Sequence, residues 1–593
     1  MVGRAYRLRL RRRIKVRRQQ ATELGREAEL RFDQLLLKRL ERLVPVGRFV
    51  SAWVLLLVLI GGITIVQAQN LNNYYEFLKP VNGGVYTEGI VGSFTTTNPL
   101  FAVDAPDVSV SRLLFAGLFR NDDSGKLVPD LAQSWKLSEN ETTYTVTLRQ
   151  NLRWSDGQPL TAKDVAYTYH TIQNPDAGSP LLASWQGVTV KQVDSRTVSF
   201  TLSTPLSSFV YSLTNGIVPE HILAKEQVGN LRTSLFNTVS TVGCGPFVLR
   251  KVEVQGSAAS QREERIAMAA SDTYHEGRPG LDGFVLRVFS SDEQMIEQFN
   301  ERKVDGMVGL TSVSSDINNA DSVISYSFPL RASVMVFFKT SQGVLADKQV
   351  RQALVRATDT NAIIGALGYP AVPVTEPLLR SQLGYDPALQ QASFDAPAAK
   401  KMLDDAGWTA QKDGIRVKDG KKLQFSLHAM NNPEFVKVSK LLQQQWRAVG
   451  VDMKVSLESG SELDAVVSSH DYDALLNGIT IGADPDVYAF WHSSQADVRS
   501  QTRLNFSEYK SSVVDESISA GRTRSSEKLR AIKYKPFLQA WQQDAPAVGL
   551  YQPRFLYVSR EPIYGLREHP ITTGLGRYSN VAHWQIRQAR VSQ

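Results

Sequence analysis

The feature that most constrains this chain is a stretch without any charged residue between Arg48 and Glu76. Residues 49–66 within it (FVSAWVLLLVLIGGITIV) are almost continuously apolar. A helix over this run rises about 27 Å at ~1.5 Å per residue, close to the ~30 Å hydrocarbon thickness of a bilayer. The sequence therefore predicts one transmembrane helix at 49–68, followed by a linker at 69–79 and a large body.

Charge is distributed unevenly on the two sides of this helix. Residues 1–48 hold 15 Lys and Arg against 5 Asp and Glu, whereas the other 545 residues hold 52 basic and 54 acidic side chains. Such a basic tail is typical either of a phosphate-binding arm for nucleic acid or of the cytoplasmic flank of a membrane helix. Because the charge lies wholly on one side of the apolar run, we interpret it as a flank. This predicts no nucleic-acid partner and a single-pass cell-membrane protein with a cytoplasmic N-terminus and an extracytoplasmic body.

The apolar run is either kept as an anchor or removed as a signal peptide. Signal peptides have ~7–15 apolar residues after a short basic start, and here both regions are longer. We therefore expect retention, with the stretch VQAQ at 66–69 as the alternative cleavage site. The only cysteine, Cys244, lies far downstream, so no thiol near the run is available for a lipid.

Leucines recur at three- and four-residue intervals within residues 21–43 of the tail. This spacing predicts an amphipathic helix that lies on the inner leaflet or pairs with a partner helix. The leucines concerned are Leu30, Leu36, Leu37, Leu40 and Leu43.

The body is too long for one hydrophobic core, since cores stop growing near ~250–300 residues. Strand-like and helix-like segments alternate along it, beginning with a period-two strand at 144–149. Thr161 followed by Asp164 then predicts a capped helix. The pattern favours a layered α/β architecture with at least two lobes.

The second half of the body repeats this alternation. Residues 396–407 and 435–449 have helical spacing, and the latter segment precedes Gly450, a helix stop. A period-two strand follows at 451–455. Polar residues at 311–322 precede the apolar run 332–338, so composition predicts a lobe boundary near 330.

Motifs for catalysis or metal binding are absent from the sequence. There is no nucleophile elbow, phosphate loop, dinucleotide fingerprint or zincin motif. The eight histidines are isolated from one another, and no pair has metal-ligand spacing. We therefore predict no enzyme activity, no cofactor and no metal; an enzyme built from residues distant in sequence is kept as an alternative.

Three blocks of the body resemble the signature region of family 5 extracellular solute-binding proteins, which are the oligopeptide-, dipeptide- and nickel-binding components of ABC importers. These blocks are 127–135 (LVPDLAQSW), 144–149 (YTVTLR) and 152–165 (LRWSDGQPLTAKDV). Shorter matches run in the family's order from about 80 to 590: 83–84, 98–100, 217–222, 243–247, 347–354 and 484–486.

This resemblance implies a two-lobed periplasmic-binding-protein-like clamp of type II. Lobe I is expected at 80–332 and 546–593, with a subdomain at about 115–215, and lobe II at 333–545. Two chain crossings form the hinge, and the ligand is enclosed where the lobes meet. Closure follows from population shift, because the ligand contacts both lobes only in the closed form.

The resemblance also indicates candidate ligand-binding residues. In peptide binders of the family, a carboxylate just before the Asp-Pro motif pairs with the peptide ammonium; here the gapless alignment puts Ile481 at that position. Either Asp484 or Asp486 takes this role, or the ligand is not an ordinary peptide. Alternatively, both carboxylates only cap the helix predicted at 487–491. Three further residues are candidates for the pocket wall: Tyr488, Trp491 and Asn98.

The function implied by the resemblance is capture of peptides or similar small solutes for delivery to ABC permease subunits, by a monomer anchored through one helix. An alternative is a ligand-sensing receptor or scaffold that signals through the cytoplasmic tail. The 48-residue length of that tail is the observation that favours the alternative.

Overall fold

The computed structural model describes residues 22, 25–26, 47–256, 262–310, 316–317, 322–369, 371–500 and 502–592. Its contacts divide the chain into two units, Met1–Lys79 with Gln588–Gln593, and Pro80–Arg587. Apart from residues 22, 25–26 and 47–48, the basic tail, including most of the segment 21–43 for which an amphipathic helix is predicted, lies outside the described residues.

The helices, numbered along the described chain, are α1 Gly47–Tyr75, α2 Ala105–Leu114, α3 Ala162–Gln173, α4 Leu182–Trp185, α5 Glu220–Leu223, α6 Asp292–Asn300, α7 Lys348–Arg356, α8 Thr360–Leu367, α9 Ala396–Asp405, α10 Pro433–Arg447, α11 Gly460–Ser469, α12 Tyr488–Trp491, α13 Ser512–Arg522 and α14 Glu527–Asp544.

The strands are β1 Glu76–Val81, β2 Val85–Val91, β3 Phe119–Asn121, β4 Leu127–Pro129, β5 Ala132–Leu137, β6 Thr143–Leu148, β7 Thr189–Gln192, β8 Thr197–Thr201, β9 Phe247–Gln255, β10 Glu263–Ala270, β11 Gly283–Phe289, β12 Gly306–Val308, β13 Ile324–Pro329, β14 Ala332–Phe338, β15 Val372–Pro373, β16 Thr409–Ala410, β17 Arg416–Lys418, β18 Lys421–Lys422, β19 Gln424–Met430, β20 Asp452–Glu458, β21 Ala474–Thr480, β22 Ala547–Gln552, β23 Arg554–Ser559 and β24 Arg587–Ser592.

Helix α1 contains the apolar run, and the predicted helix is confirmed. Its segment Phe49–Ala68 is long and apolar enough to cross a membrane, and none of that segment is buried within the protein. Large apolar side chains such as Leu57 and Val58 are therefore exposed along it. A continuous apolar surface of this size is unfavourable in water, so α1 is a candidate membrane anchor. Strands β1 and β24 pair in a two-stranded sheet.

A seven-stranded sheet forms the core of the part that we call the first lobe. Its strand order is β13-β23-β12-β2-β11-β10-β9. Strand β2 runs parallel to β11 and β12, and the other pairs are antiparallel. Helix α6 packs on one face through Met295 and Phe299. A four-stranded antiparallel sheet, β5-β6-β8-β7, contributes with α3 to the larger core cluster of this lobe.

A six-stranded sheet, β15-β22-β14-β21-β19-β20, forms the core of the second lobe. This sheet is covered on both faces, as strand β14 shows: Val334 and Val336 belong to one core cluster, and Met335 and Phe337 belong to another. Helices α7, α9 and α10 supply the first cluster, whereas α13 and α14 supply the second. Successive residues of a strand point to opposite faces of the sheet, so a strand that is buried on both faces has a continuous apolar sequence.

The local predictions for the body are confirmed. Strand β6 buries Tyr144, Val146 and Leu148 at period two. Helix α3 begins with the predicted capping box, in which Thr161 N donates to Asp164 Oδ2 at 2.8 Å. The helix expected at 435–449 is α10, which begins two residues earlier because the Asn432 side chain accepts from the N–H of Phe435 at 2.8 Å. Layered α/β architecture is thus confirmed.

The chain crosses between the lobes at two neighbouring places. It leaves β13 at Pro329 and enters β14 at Ala332, and it returns between Gln552 and Arg554. Leu330 N donates to Pro553 O at 2.9 Å, which joins the two crossings directly. The backbone there is therefore a pair of adjacent strands passing from one sheet to the other.

Candidate functional site

A cavity of about 300 Å³ lies where the two lobes meet, next to the crossings. The first lobe contributes the β3–β4 hairpin, the 3-10 helix Ser207–Thr214 and the segment 569–579. The second lobe contributes Gly482 and Ala483, which follow β21. Its volume is at the lower end of the range for small-molecule sites, ~300–1,000 Å³.

Arg331, at the first crossing, lines this cavity. Its backbone links both lobes: its N–H donates to Ile571 O at 2.7 Å, and its carbonyl accepts from Ile481 N at 3.0 Å. The side chain reaches the β3–β4 hairpin, where Nη2 donates to Gly125 O at 2.9 Å. Gly125 has φ 73°, and a Cβ there would lie 2.5 Å from Arg331 Nη2, so only glycine permits this approach.

The Arg331 guanidinium is buried without a counter-ion. The residue is 7 % exposed, and its Nη1 has no hydrogen-bond partner within the part of the chain that the structure describes. Among the described residues no carboxylate forms a salt bridge with it. Burial lowers the pKa of Arg331, the direction expected for an uncompensated cation. A buried donor that makes no hydrogen bond costs about 1–3 kcal/mol of stability, and more if the group is charged.

Two further arginines of the cavity wall, by contrast, have acidic partners. Arg120 lies 2.8 Å from Glu276 and 3.8 Å from Asp130, and Arg112 lies 3.9 Å from Asp130. Of the three arginines that line the cavity, Arg331 is thus the one whose charge has no such partner.

Two other polar groups of the wall also lack partners. His569 is buried; its Nδ1 lies 3.0 Å from Arg567 O, and its Nε2 has no partner among the described residues. Asn121 has a buried side-chain oxygen that receives no hydrogen bond from any described residue. Buried polar atoms are usually hydrogen-bonded, so unsatisfied ones on residues around one cavity indicate side chains that would gain hydrogen bonds by turning toward a ligand.

Asp484, the first predicted site residue, forms a bidentate ion pair with Arg530. Arg530 Nη1 donates to Oδ2 at 2.8 Å, and Nη2 donates to Oδ1 at 2.6 Å. Both side chains are buried, and Arg530 Nε also donates to Gly521 O at 2.9 Å. Burial raises the pKa of Asp484, while the guanidinium opposes that rise. The carboxylate is therefore already satisfied inside the second lobe.

Asp486 is paired too, but it also reaches the first lobe. Its Oδ2 accepts from Arg522 at 2.9 Å and from the Ser208 hydroxyl at 3.1 Å. Its Oδ1 accepts from Tyr488 N at 3.3 Å, a bond at the start of α12 of the kind that the capping alternative expects. Asp484 makes no such bond to α12.

A second bridge joins the lobes at Glu141. Ser525 N donates to Glu141 Oε2 at 3.0 Å, and the Ser525 hydroxyl donates to Oε1 at 2.5 Å. Glu141 follows β5, whereas Ser525 lies between α13 and α14. Together with Ser208–Asp486, it is a direct side-chain contact between the lobes in their present arrangement.

The three predicted wall residues lie outside the cavity lining. Asn98 has no exposed surface, and its side chain bonds to Asn237 and to the N–H of Leu100, both at 3.0 Å. Trp491 is buried in the second-lobe core. Tyr488 is partly buried, and the Arg522 guanidinium lies 4.3 Å from its ring centroid. A ligand role for these residues and for both aspartates stays a prediction.

Sequence reasoning missed Arg331 and His569. The available signal was that Arg331 is a lone charge directly before the buried run 332–338. Periodicity could not show that its neighbour across the cavity is the hairpin at Gly125, because the two residues are 206 positions apart. Among the described residues, no group of three His, Cys, Asp or Glu side chains could hold a metal ion.

Comparison with known proteins agrees with this architecture. The chain is similar to the oligopeptide-binding protein AppA of Bacillus subtilis, 26% identical over 513 residues that cover 83% of this chain and 90% of AppA. Protein XP55 of Streptomyces lividans is 28% identical over 484 residues, covering 79% of this chain and 83% of XP55.

Solved structures superpose over almost their whole length. NikZ from Campylobacter jejuni, in complex with Ni(L-His), matches with a TM-score of 0.68 and 25% identity, covering 84% of this chain and 99% of NikZ. AppA from Bacillus subtilis, in complex with a nonapeptide, matches with a TM-score of 0.66 and 25% identity, covering 86% of this chain and 100% of AppA. The expected two-lobed clamp of type II is thereby confirmed.

The model of bacterial extracellular solute-binding proteins, family 5 Middle, matches residues 126–500, more than half of the chain. The match includes the blocks at 127–135, 144–149 and 152–165. This protein belongs to the bacterial extracellular solute-binding proteins of family 5.

Proposed function

We propose that this chain captures peptides or similar small solutes between its lobes and delivers them to the permease subunits of an ABC importer. The observation that carries the proposal is the cavity at the lobe crossings, lined by both lobes and by unsatisfied polar groups. The ligand class is taken from relatives: AppA is described as an oligopeptide-binding protein, and NikZ holds Ni(L-His).

Closure of the lobes supplies the mechanism. A ligand that touches Tyr211 of the first lobe and Ala483 of the second lobe at once gains both sets of contacts only when the lobes are together, so its binding favours the closed form by that difference in affinity. The bridges Ser208–Asp486 and Glu141–Ser525 stabilise the same form. The permease then recognises the closed shape, and no bond is made or broken.

We propose lobe limits that follow sheet membership: 80–330 and 553–587 for the first lobe, 331–552 for the second. The return crossing then falls later than the expected boundary at 545/546, because β22 (Ala547–Gln552) pairs with β14 of the six-stranded sheet. The subdomain expected at about 115–215 corresponds to the four-stranded sheet with α3.

We further propose that the body acts as a monomer outside the cell and that α1 holds it at the membrane. Positive charge before α1 favours a cytoplasmic N-terminus, and a retained helix keeps the clamp at the surface where the permease lies. The linker expected at 69–79 falls on the end of α1 (Gly47–Tyr75) and the start of β1 (Glu76–Val81), which then join the membrane segment to the body.

Mass spectrometry of small molecules retained by the full chain, purified in detergent, tests the ligand class. We expect short peptides in the wild-type extract, and a higher unfolding temperature when the identified peptide is added back. A matched sample unfolded and refolded without ligand is the control for carry-over. Absence of peptides, together with no thermal shift by added di- and tripeptides, would contradict the proposal.

A further inference from the structure

We propose that the cavity selects a small ligand by its carboxylate and that Arg331 is the residue that binds it. The inference rests on the proposed function for the peptide nature of the ligand, but not for the negative charge of the ligand. The volume of about 300 Å³ is at the lower end for small-molecule sites, ~300–1,000 Å³, and favours a short ligand over a long peptide.

Charge balance in the wall favours an anion. Three arginines line the cavity, and Arg112 and Arg120 share the carboxylates of Asp130 and Glu276. Arg331 remains a buried cation whose Nη1 is unbonded. Arginine stays protonated in proteins, so this positive charge persists at any physiological pH, and a ligand carboxylate would compensate it.

The carboxylates that could attract a ligand ammonium are both occupied. Asp484 is bound by Arg530 through two hydrogen bonds, and Asp486 by Arg522 and Ser208. The position before the Asp-Pro motif is the buried, apolar Ile481. The described residues thus offer an unpaired cation at the lobe junction and, on this segment, no unpaired anion.

The position of Arg331 couples anion binding to the crossing itself. Its backbone bonds to Ile571 of the first lobe and to Ile481 of the second, and its side chain bonds to Gly125 in the first-lobe hairpin. A carboxylate on the guanidinium therefore acts on the segment that joins the lobes. His569 Nε2 and Asn121 Oδ1, unsatisfied among the described residues, are themselves buried, so each side chain must rotate to meet the remaining polar atoms of the ligand.

The test compares dialanine with dialanine amide, in which a neutral carboxamide replaces the C-terminal carboxylate, by isothermal titration of the full chain in detergent. Wild type should bind dialanine roughly 10- to 100-fold more tightly than the amide, the range for hydrogen bonds to a charged group. R331Q should remove that preference. R499Q changes an arginine that is 86 % exposed on its side chain and should keep it.

R331K provides a second variant if R331Q does not fold: it keeps the charge but loses the forked donor, so dialanine affinity should fall while amide affinity does not. Equal binding of both probes by wild type, or a preference that survives in R331Q, overturns the inference and leaves the proposed function standing. If wild type retains carboxylates that are not peptides and R331Q does not retain them, the inference is upheld and a peptide ligand is contradicted. No retained molecule and no binding of either probe overturns both.

Discussion

Removal of either partner of the Asp484–Arg530 pair should destabilise the second lobe, and the two removals should differ in their pH dependence. In D484N the Arg530 guanidinium keeps its charge, because arginine does not lose its proton in proteins. In R530M the Asp484 carboxyl can take up a proton instead. Both side chains are buried, so neither variant can recover solvation in water.

The magnitude follows from the geometry of the pair. Two hydrogen bonds of 2.8 and 2.6 Å link the charges. Breaking a buried pair by removing one partner costs about 3–5 kcal/mol, whereas replacing both partners is often close to neutral. We therefore expect D484N to lose about 3–5 kcal/mol of unfolding free energy, and D484N/R530M to be more stable than D484N alone.

The pH dependence has a definite sign in R530M. Burial raises the pKa of Asp484 above its ordinary value of 3.8, and loss of Arg530 removes the main opposing influence. A group with a raised folded pKa binds its proton more tightly in the folded state, so R530M should lose stability as pH rises above about 4, its unfolded-state pKa. D484N has no titratable group at this position, so it should lack this dependence.

Urea unfolding of the full chain in detergent, followed by circular dichroism between pH 4 and 8, measures these differences. R499M, at an exposed arginine of the same lobe, should stay within about 0.5 kcal/mol of wild type. A loss below about 1 kcal/mol in D484N, or a double variant that loses the sum of the single losses, would refute the reasoning. Loss of ligand binding in such a stable D484N would instead make Asp484 a ligand-binding residue.

Three further predictions concern other parts of the molecule. Burial, with the nearby Asp386 carboxylate, raises the pKa of Glu376 from 4.5 to about 8. The free energy of unfolding should therefore fall as pH rises from 4.5 to 8, by about 1.4 kcal/mol for each pKa unit between the folded and unfolded states. Urea unfolding of E376Q should show a flatter dependence of stability on pH, and an unchanged dependence contradicts this. E141A removes both bonds to Ser525 and should increase the radius of gyration of the ligand-free chain in X-ray scattering. E139A, at an exposed neighbour, should not. Equal radii of gyration for E141A and wild type would show that the bridge does not hold the lobes together. I60R in α1 costs about 2.5–3.5 kcal/mol of membrane insertion and should shift the chain out of the carbonate-resistant membrane fraction, so unchanged fractionation would argue against α1 as the anchor.

Local elements of the fold were predictable because their causes are local. The capping box from Thr161 to Asp164 spans four residues, and the alternation in β6 spans six. Each pattern reports backbone hydrogen bonds or a buried face within one element. Sheet order was not predictable in this way: β2 lies between β11 and β12, whose residues are about 200 positions downstream.

The candidate site shows the same limit. The sequence identified Asp484 and Asp486 as charges beside the Asp-Pro motif, but it carried no sign that each already has an arginine partner. It also contained Arg331 without showing that the residue lacks one. Whether a charge is free depends on side chains brought together from distant segments, and such pairs leave no periodic signal.

By itself, the sequence determined that one apolar helix precedes an α/β body and that this body has the blocks of family 5. Composition, period and motif order are properties of adjacent residues, so they are readable without a fold. The tertiary structure alone decided which charges remain unpaired at the lobe crossings. It did so because Ser208 meets Asp486 across 278 residues and Arg331 meets Gly125 across 206, and only folding brings such side chains into contact.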